Sequence, residues 1–175
     1  FNTSGFDWSL AYNHDLGAMG ALAFNHQGTH TIENRFKANP NSIDRDCVGF
    51  YGVNCDPGQP KWQFNQRLTW SFDQLDVSLR HRFIGGLAVD PTQPGVGALL
   101  PAFTSIDAAN YFDLTARYEL REGLDLTATV DNLLDKDPPV VGNTIGSTAF
   151  NSGNTFPTIY DALGRTYTAT LRVRF

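Results

Sequence analysis

The sequence predicts an all-β chain, one wall of an antiparallel transmembrane β-barrel, with one face of each strand against hydrocarbon and the other against water. Three observations predict it. Apolar and polar residues alternate with period two over most of the chain. The connections between the alternating segments are by turns short and long. The aromatic residues, 13% of the chain, fall into two bands once strand direction is assigned.

The segments follow in order. Phe6, Trp8, Leu10 and Tyr12 alternate with Asp7, Ser9, Ala11 and Asn13 and predict a first strand. A weaker pattern around Gly20, Leu22 and Phe24 predicts a second. Trp62, Phe64, Leu68, Trp70 and Phe72 alternate with Gln63, Asn65, Arg67, Thr69 and Ser71, with Gln66 as the one break. Leu75, Val77, Leu79 and Phe83 alternate with Asp76, Ser78, Arg80 and Arg82, and His81 falls on the apolar side. Phe112, Leu114, Ala116, Tyr118 and Leu120 form the fifth stripe, Leu124, Leu126, Ala128 and Val130 the sixth. Tyr167, Ala169, Leu171, Val173 and Phe175 form the seventh.

Segments of about ten residues suit tilted membrane-crossing strands and exceed the usual length of about 5–6 in soluble sheets. Short turns are expected at 14–17, 71–74 and 121–123, and long loops at about 36–61, 88–108 and 137–164. If the last strand runs inward, Trp8, Phe24, Trp62, Phe83, Phe112 and Tyr167 lie toward the outer rim. Tyr12, Trp70, Phe72, Tyr118 and Phe175 then lie toward the inner rim. The steps from Tyr167 to Phe175, at about 3.4 Å each and a tilt of about 40°, span roughly 20 Å, close to the apolar band of such barrels. Arg80, Arg82, Arg117, Glu119, Asp125, Asp131, Arg172 and Arg174 all take the opposite face. On the lipid side each Arg near the midplane would cost about 2–4 kcal/mol.

Bulk properties narrow the function. A net charge of −5 excludes a basic nucleic-acid face. No apolar run reaches the roughly 20 residues of a membrane-spanning helix, which leaves a barrel untouched. The mean hydropathy of −0.28 is what a half-wet strand averages to. Residues 1–5 carry no signal-peptide pattern. Cys47 and Cys55 lie in a loop-like stretch with no further metal ligands near them. A local disulfide is the expected state, in an oxidising compartment.

The C-terminal stretch resembles TonB-dependent outer-membrane receptors. The residues that carry this are Asp131-Asn132-Leu133-Leu134-Asp135-Lys136, then Tyr160-Asp161-Ala162-Leu163-Gly164-Arg165-Thr166-Tyr167, then Leu171-Arg172-Val173-Arg174-Phe175. Leu134 stands where the family has an aromatic residue. The disulfide loop followed by Pro60-Lys61-Trp62 resembles a proteobacterial branch of the same family. The resemblance implies a 22-stranded barrel, of which residues 1–175 are a C-terminal segment of about seven strands. It implies that the plug domain and TonB box lie outside this chain, and that uptake of a scarce nutrient (siderophore-iron, cobalamin or oligosaccharide) draws on TonB. It also implies a location in the bacterial outer membrane. The implied partners are outer-membrane lipid and lipopolysaccharide, the remaining strands and plug, the TonB complex and the barrel-assembly machinery. Gly164, Tyr167, Leu171, Val173 and Phe175 would form the signal read by that machinery, an edge-pairing event.

No enzyme chemistry emerges from the motifs, and no cofactor is expected. His26 and His30 share a strand face without a carboxylate partner, and Asp131, Asp135 and Lys136 belong to the family run. Gly95-Val96-Gly97 precedes no helix pattern and is no phosphate cradle. Substrate contact is expected from loop aromatics and polar groups: Asp44, Arg45, Asp46, Phe50, Tyr51, Phe150, Asn151, Asn154, Phe156 and Tyr160. Two rivals are a passive porin-like barrel and a soluble β-sandwich binding module. An odd strand number disfavours the first. The second would need another sheet over the stripe holding Trp8, Trp62, Trp70, Phe112 and Phe175.

Overall fold

The computed structural model describes residues 1–37, 39–142 and 155–174. Seven long strands form one antiparallel sheet in sequence order. They are β1 (Asn2–Asp15), β2 (Ala21–Phe36), β5 (Trp62–Phe72), β6 (Leu75–Ile84), β9 (Ala109–Arg121), β10 (Leu124–Asp131) and β11 (Thr166–Val173). Four short strands belong to the long connections: β3 (Arg45–Asp46), β4 (Phe50–Tyr51), β7 (Leu87–Val89) and β8 (Ser105–Ile106). β3 extends the sheet beside β2, while β4, β7 and β8 make a separate small sheet. Among the described residues β1 and β11 form the two open edges.

The register carries each sequence stripe into its neighbour. Tyr12 pairs with Phe24, Phe24 with Leu68, Leu68 with Leu79, Leu79 with Leu114, Leu114 with Val130 and Val130 with Tyr167. Every member of that row points to one face, because side chains of directly paired residues share a side. The apolar stripes thus merge into one continuous sheet face. Large apolar side chains remain exposed along it, among them Leu10, Tyr12, Leu68, Trp70, Leu79, Tyr118, Leu126, Tyr167 and Leu171.

The connections have two characters. One end of the sheet has tight turns, with Asp73 and Gly123 in the left-handed region at φ 51° and 78°. The other end carries all the long loops. The long β2 shifts one expected position: Phe24 lies near its start, opposite Tyr12, and so joins the aromatic row at the turn end rather than the loop end. The weak alternation after Asn25 hides a strand that continues to Phe36.

The apolar core lies at the loop end, on the polar side of the sheet. Ile84, Ala109 and Tyr111 reach it from the strands, Tyr51, Leu87, Val89, Ile106, Val141, Phe156 and Tyr160 from the loops. The loops therefore fold over the polar face as a packed cap. Parallel pairing of β4 with β7 and a bond from the Tyr51 hydroxyl to the Phe103 carbonyl at 2.8 Å fasten two loops together. The Cys47–Cys55 disulfide closes the tip of the first loop.

Candidate functional site

The polar face divides into two regions. On β6, β9, β10 and β11 it is charged, and most of that charge is internally paired. Asp113 is buried and accepts from Arg80 Nε at 2.7 Å, Arg82 Nε at 3.1 Å and the Asn132 backbone N–H at 2.8 Å. Arg82 continues to Asp161 at 3.4 Å, and Arg80 to Asp131 at 3.5 Å. Arg117 bridges Asp125 at 2.7 Å and Asp76 at 3.1 Å, while Arg174 reaches Asp125 at 3.3 Å. Two arginines on one shielded carboxylate form charge-assisted bonds that lock three strands and the cap together. Such a network leaves little unspent charge for a ligand.

On β1, β2 and β5 the same face is different. Direct pairing sets Asp7 beside Thr29 and Gln63, Ser9 beside Gln27 and Asn65, and Ala11 beside Asn25 and Arg67. Among the described residues the one hydrogen bond joining these side chains runs from Thr29 Oγ1 to Asp7 Oδ1, at 2.6 Å. The carboxamides of Asn25, Gln27, Gln63 and Asn65 thus present donors and acceptors to the interior. Above them lies a cavity of about 640 Å³, bounded by Asp7, Gln27, Gln63, Asn65 and Arg82 and by Thr158 and Ile159 of the cap. That volume is in the range of small-molecule pockets, roughly 300–1,000 Å³. Sequence reasoning did not single out these residues. Their signal was present as the polar phase of the first three stripes, read there only as the wet side.

The expected contact residues are dispersed through the cap. Asp44 is exposed and pairs with Arg35 at 3.3 Å. Arg45 donates to Thr92 Oγ1 at 3.0 Å and lies 3.6 Å from Asp90. Asp46 accepts the backbone N–H groups of Asn34 and Val48 at 3.1 and 3.2 Å. Phe50 is half-buried in β4. Tyr51, Phe156 and Tyr160 are interior, each at most 2% exposed, with the Tyr51 and Phe156 rings edge to face at 5.9 Å. Their side chains pack the cap and face no open surface. Burial pushes the Tyr51 hydroxyl up to about 12 and raises that of Tyr160 as well. Phe150, Asn151, Asn154 and Phe175 lie outside the described residues. Among the described residues no cluster of three His, Cys, Asp or Glu side chains is placed to hold a metal.

The motif near the C-terminus has a physical role at the loop end. Asn132, fully buried and at φ 52°, donates its amide to the Lys136 carbonyl and accepts the Lys136 N–H, both at 2.9 Å. Asp135 accepts the Arg165 backbone N–H at 3.0 Å. Gly164, at φ 71°, takes a backbone form that a side chain would strain and passes close to that carboxylate. The Asn and Asp of one run and the Gly and Arg of the other thus clamp the tops of β10 and β11. Tyr167, Leu171 and Val173 lie on the apolar face of β11, exposed at the open edge.

No family model matches the sequence, and no curated protein does. Solved structures do. The ferric enterobactin receptor PfeA from Pseudomonas aeruginosa, as its R480A/Q482A mutant, is 20% identical with a TM-score of 0.64. The match covers 99% of this chain and 22% of that one. The siderophore receptor PirA from Acinetobacter baumannii is 20% identical with a TM-score of 0.62, over 99% of this chain and 22% of its own. The chain therefore spans about a fifth of the length of the structures it resembles. Sheet order, opposed faces and structural likeness agree: the chain has the fold of a transmembrane antiparallel β-barrel wall, of the kind from which these receptors are built.

Proposed function

We propose that residues 1–175 are the C-terminal barrel wall of an energised receptor in a bacterial outer membrane. The receptor takes up a scarce nutrient and draws on the TonB complex through parts that lie outside this chain. The observation that carries the reading is the pairing of a lipid-compatible face with a polar face that holds an open, ligand-sized recess edged by the loop cap. The fold shared with two siderophore receptors supports it. On this reading substrate enters past the loop cap and meets the carboxamide wall of β1, β2 and β5. Asp44, Arg45, Asp46 and Phe50, with Phe150, Asn151 and Asn154, are the loop contacts we propose, and Tyr51, Phe156 and Tyr160 hold the loops that present them. Siderophore-iron, cobalamin and oligosaccharides are the candidate cargoes.

The barrel-assembly machinery is proposed to engage β11 through Gly164, Tyr167, Leu171, Val173 and Phe175. No catalytic step is assigned. The test is uptake by whole cells with and without the gene, using labelled iron chelates, cobalamin and oligosaccharides in turn. One cargo should enter only with the gene, and a protonophore should abolish its entry. Entry that survives the protonophore would mark a passive pore instead.

A further inference from the structure

The recess over β1, β2 and β5 is selective through what its wall leaves unbonded. Asn25 and Gln27 on β2 and Gln63 and Asn65 on β5 stand on one face, with Gln27 directly paired to Asn65 and to Ser9 of β1. Elsewhere on this face polar side chains find one another: Thr69 with Ser78, Thr115 with Thr129, and Arg117 with Asp76 and Asp125. Here, among the described residues, none of the four carboxamides is hydrogen-bonded, and the bond from Thr29 to Asp7 stands alone. How each amide is turned does not change the count. A carboxamide offers one acceptor oxygen and one NH₂ with two donors in either orientation.

Each class of occupant leaves a different remainder. An apolar body would strip water from the carboxamides and leave their donors and acceptors unpaired. An anionic body would lie beside the Asp7 carboxylate. The Arg82 guanidinium that borders the recess cannot offset this freely, since both Asp113 oxygens hold it at 3.1 and 3.2 Å and Asp161 at 3.4 Å. A cationic body would find one carboxylate, which already accepts from Thr29 Oγ1 at 2.6 Å. Arg67 stands one pleat nearer the turn end, beside Asn25 and Arg80, and its charge offsets that of Asp7 across the wall.

A neutral body rich in hydroxyls leaves no remainder. A hydroxyl both donates and accepts, so it satisfies either end of any carboxamide. The hydroxyls must also recur. Carboxamides on paired strands are set about 4.8 Å apart by the sheet, and those two residues apart on one strand about 6.8 Å. The occupant therefore carries hydroxyls along an extended body and not at one polar end. Ile84 and Ile159 flank the recess and suit the C–H face of a ring.

We propose that this recess takes a neutral oligosaccharide, held through its ring hydroxyls by Asn25, Gln27, Gln63 and Asn65. The proposal rests on the transport reading for the recess being a cargo site, and it narrows that cargo by setting charged iron chelates aside.

The test is binding to the protein purified in detergent as the gene encodes it, measured by isothermal titration calorimetry, which requires neither TonB nor an energised membrane. The probes are maltotetraose, xylotetraose and chitotetraose as neutral chains, tetragalacturonate as an anionic chain, and a ferric tris(catecholate) as an iron chelate. One neutral chain should bind at least tenfold tighter than either anionic probe. Gln27→Leu and Asn65→Leu should each weaken it about tenfold with heat-modifiable gel mobility unchanged, and Thr127→Ala, on the same face of β10 away from the recess, should not. Tighter binding of an anionic probe would overturn the proposal. So would no binding of any neutral chain, or unchanged binding in both leucine variants. The wild-type ranking decides the matter even where a variant fails to fold. Saccharide binding without protonophore-sensitive entry into cells would count against the transport reading alone. Gene-dependent entry of an iron chelate with no saccharide bound would overturn this proposal and leave the transport reading in place.

Discussion

At the scale of single residues, position on the sheet decides what a polar group does. Asp113 and Asp7 are both inward carboxylates, yet Asp113 is buried under two arginines while Asp7 borders a cavity. Removing the Asp113 charge leaves Arg80 and Arg82 with Asp131 and Asp161 as their carboxylate partners. Asp113→Asn should destabilise the folded barrel by roughly 2 kcal/mol, less than a fully buried pair because both arginines keep some solvent. Urea titration in detergent, followed by tryptophan fluorescence, measures it, and a change below about 0.5 kcal/mol would show the network to be idle. Asn132 illustrates how far sequence carries at this scale. The run of residues 131–136 was recognisable as a motif, but only the structure shows one carboxamide closing a turn on both sides of Lys136. A short pattern names residue types, and their bonding depends on a fold that brings Asp113 and Arg165 alongside.

Among the elements, the strands were far more legible than the loops. All seven long strands follow from period two, because each side of a barrel wall meets a different solvent. The upper half of β2 gave no readable alternation because it no longer has two contrasting environments, Thr31 being buried and Ile32 exposed, although the loop expected from about residue 36 starts where the strand ends at Phe36. The four short strands of the cap were also missed, since two- or three-residue pairings carry no periodicity. Aromatics such as Tyr51, Phe156 and Tyr160, taken for ligand contacts, lie in the interior of that cap. Two outcomes follow for the cap. Replacing Cys47 and Cys55 by serine removes the constraint on a short loop, for which chain entropy predicts roughly 2–3 kcal/mol. Protease should then cut within residues 39–61 while the strands stay protected, and an uncut loop would show the packing to suffice alone. The second concerns alkali. With its folded-state value raised to about 12, Tyr51 keeps its proton in the cap while an unfolded tyrosine loses it near 10. Cap stability is therefore constant below about pH 10 and falls as pH rises from there toward 12. Phenolate absorbance should lag in the native protein and appear together with loop opening, whereas an early, uncoupled rise would mean that Tyr51 is wet.

The whole molecule is defined by its two faces. One carries an unbroken apolar row from Tyr12 on β1 to Tyr167 on β11, and the other carries paired charge, carboxamides and the loop cap. Neither face alone distinguishes a membrane wall from half of a sandwich. Together with tight turns at one end and long loops at the other they fit a barrel, and the likeness to two siderophore receptors over 99% of the chain agrees. What the sequence could not supply was the division of the wet face into a charged, self-satisfied half and an amide-rich half. That division depends on which strands are neighbours. The proposed uptake and the opening of the cap both presuppose that the faces meet lipid and water respectively. Nitroxide labels at Leu114, Leu126 and Leu171 on one face and at Thr115, Thr127 and Thr170 on the other, in the protein reconstituted into bilayers, test this directly. Power-saturation should show the leucine sites open to oxygen and closed to a water-soluble nickel chelate, with the threonine sites the reverse. Equal nickel access at both sets, or shielding of the leucine sites from oxygen, would contradict the membrane-wall account.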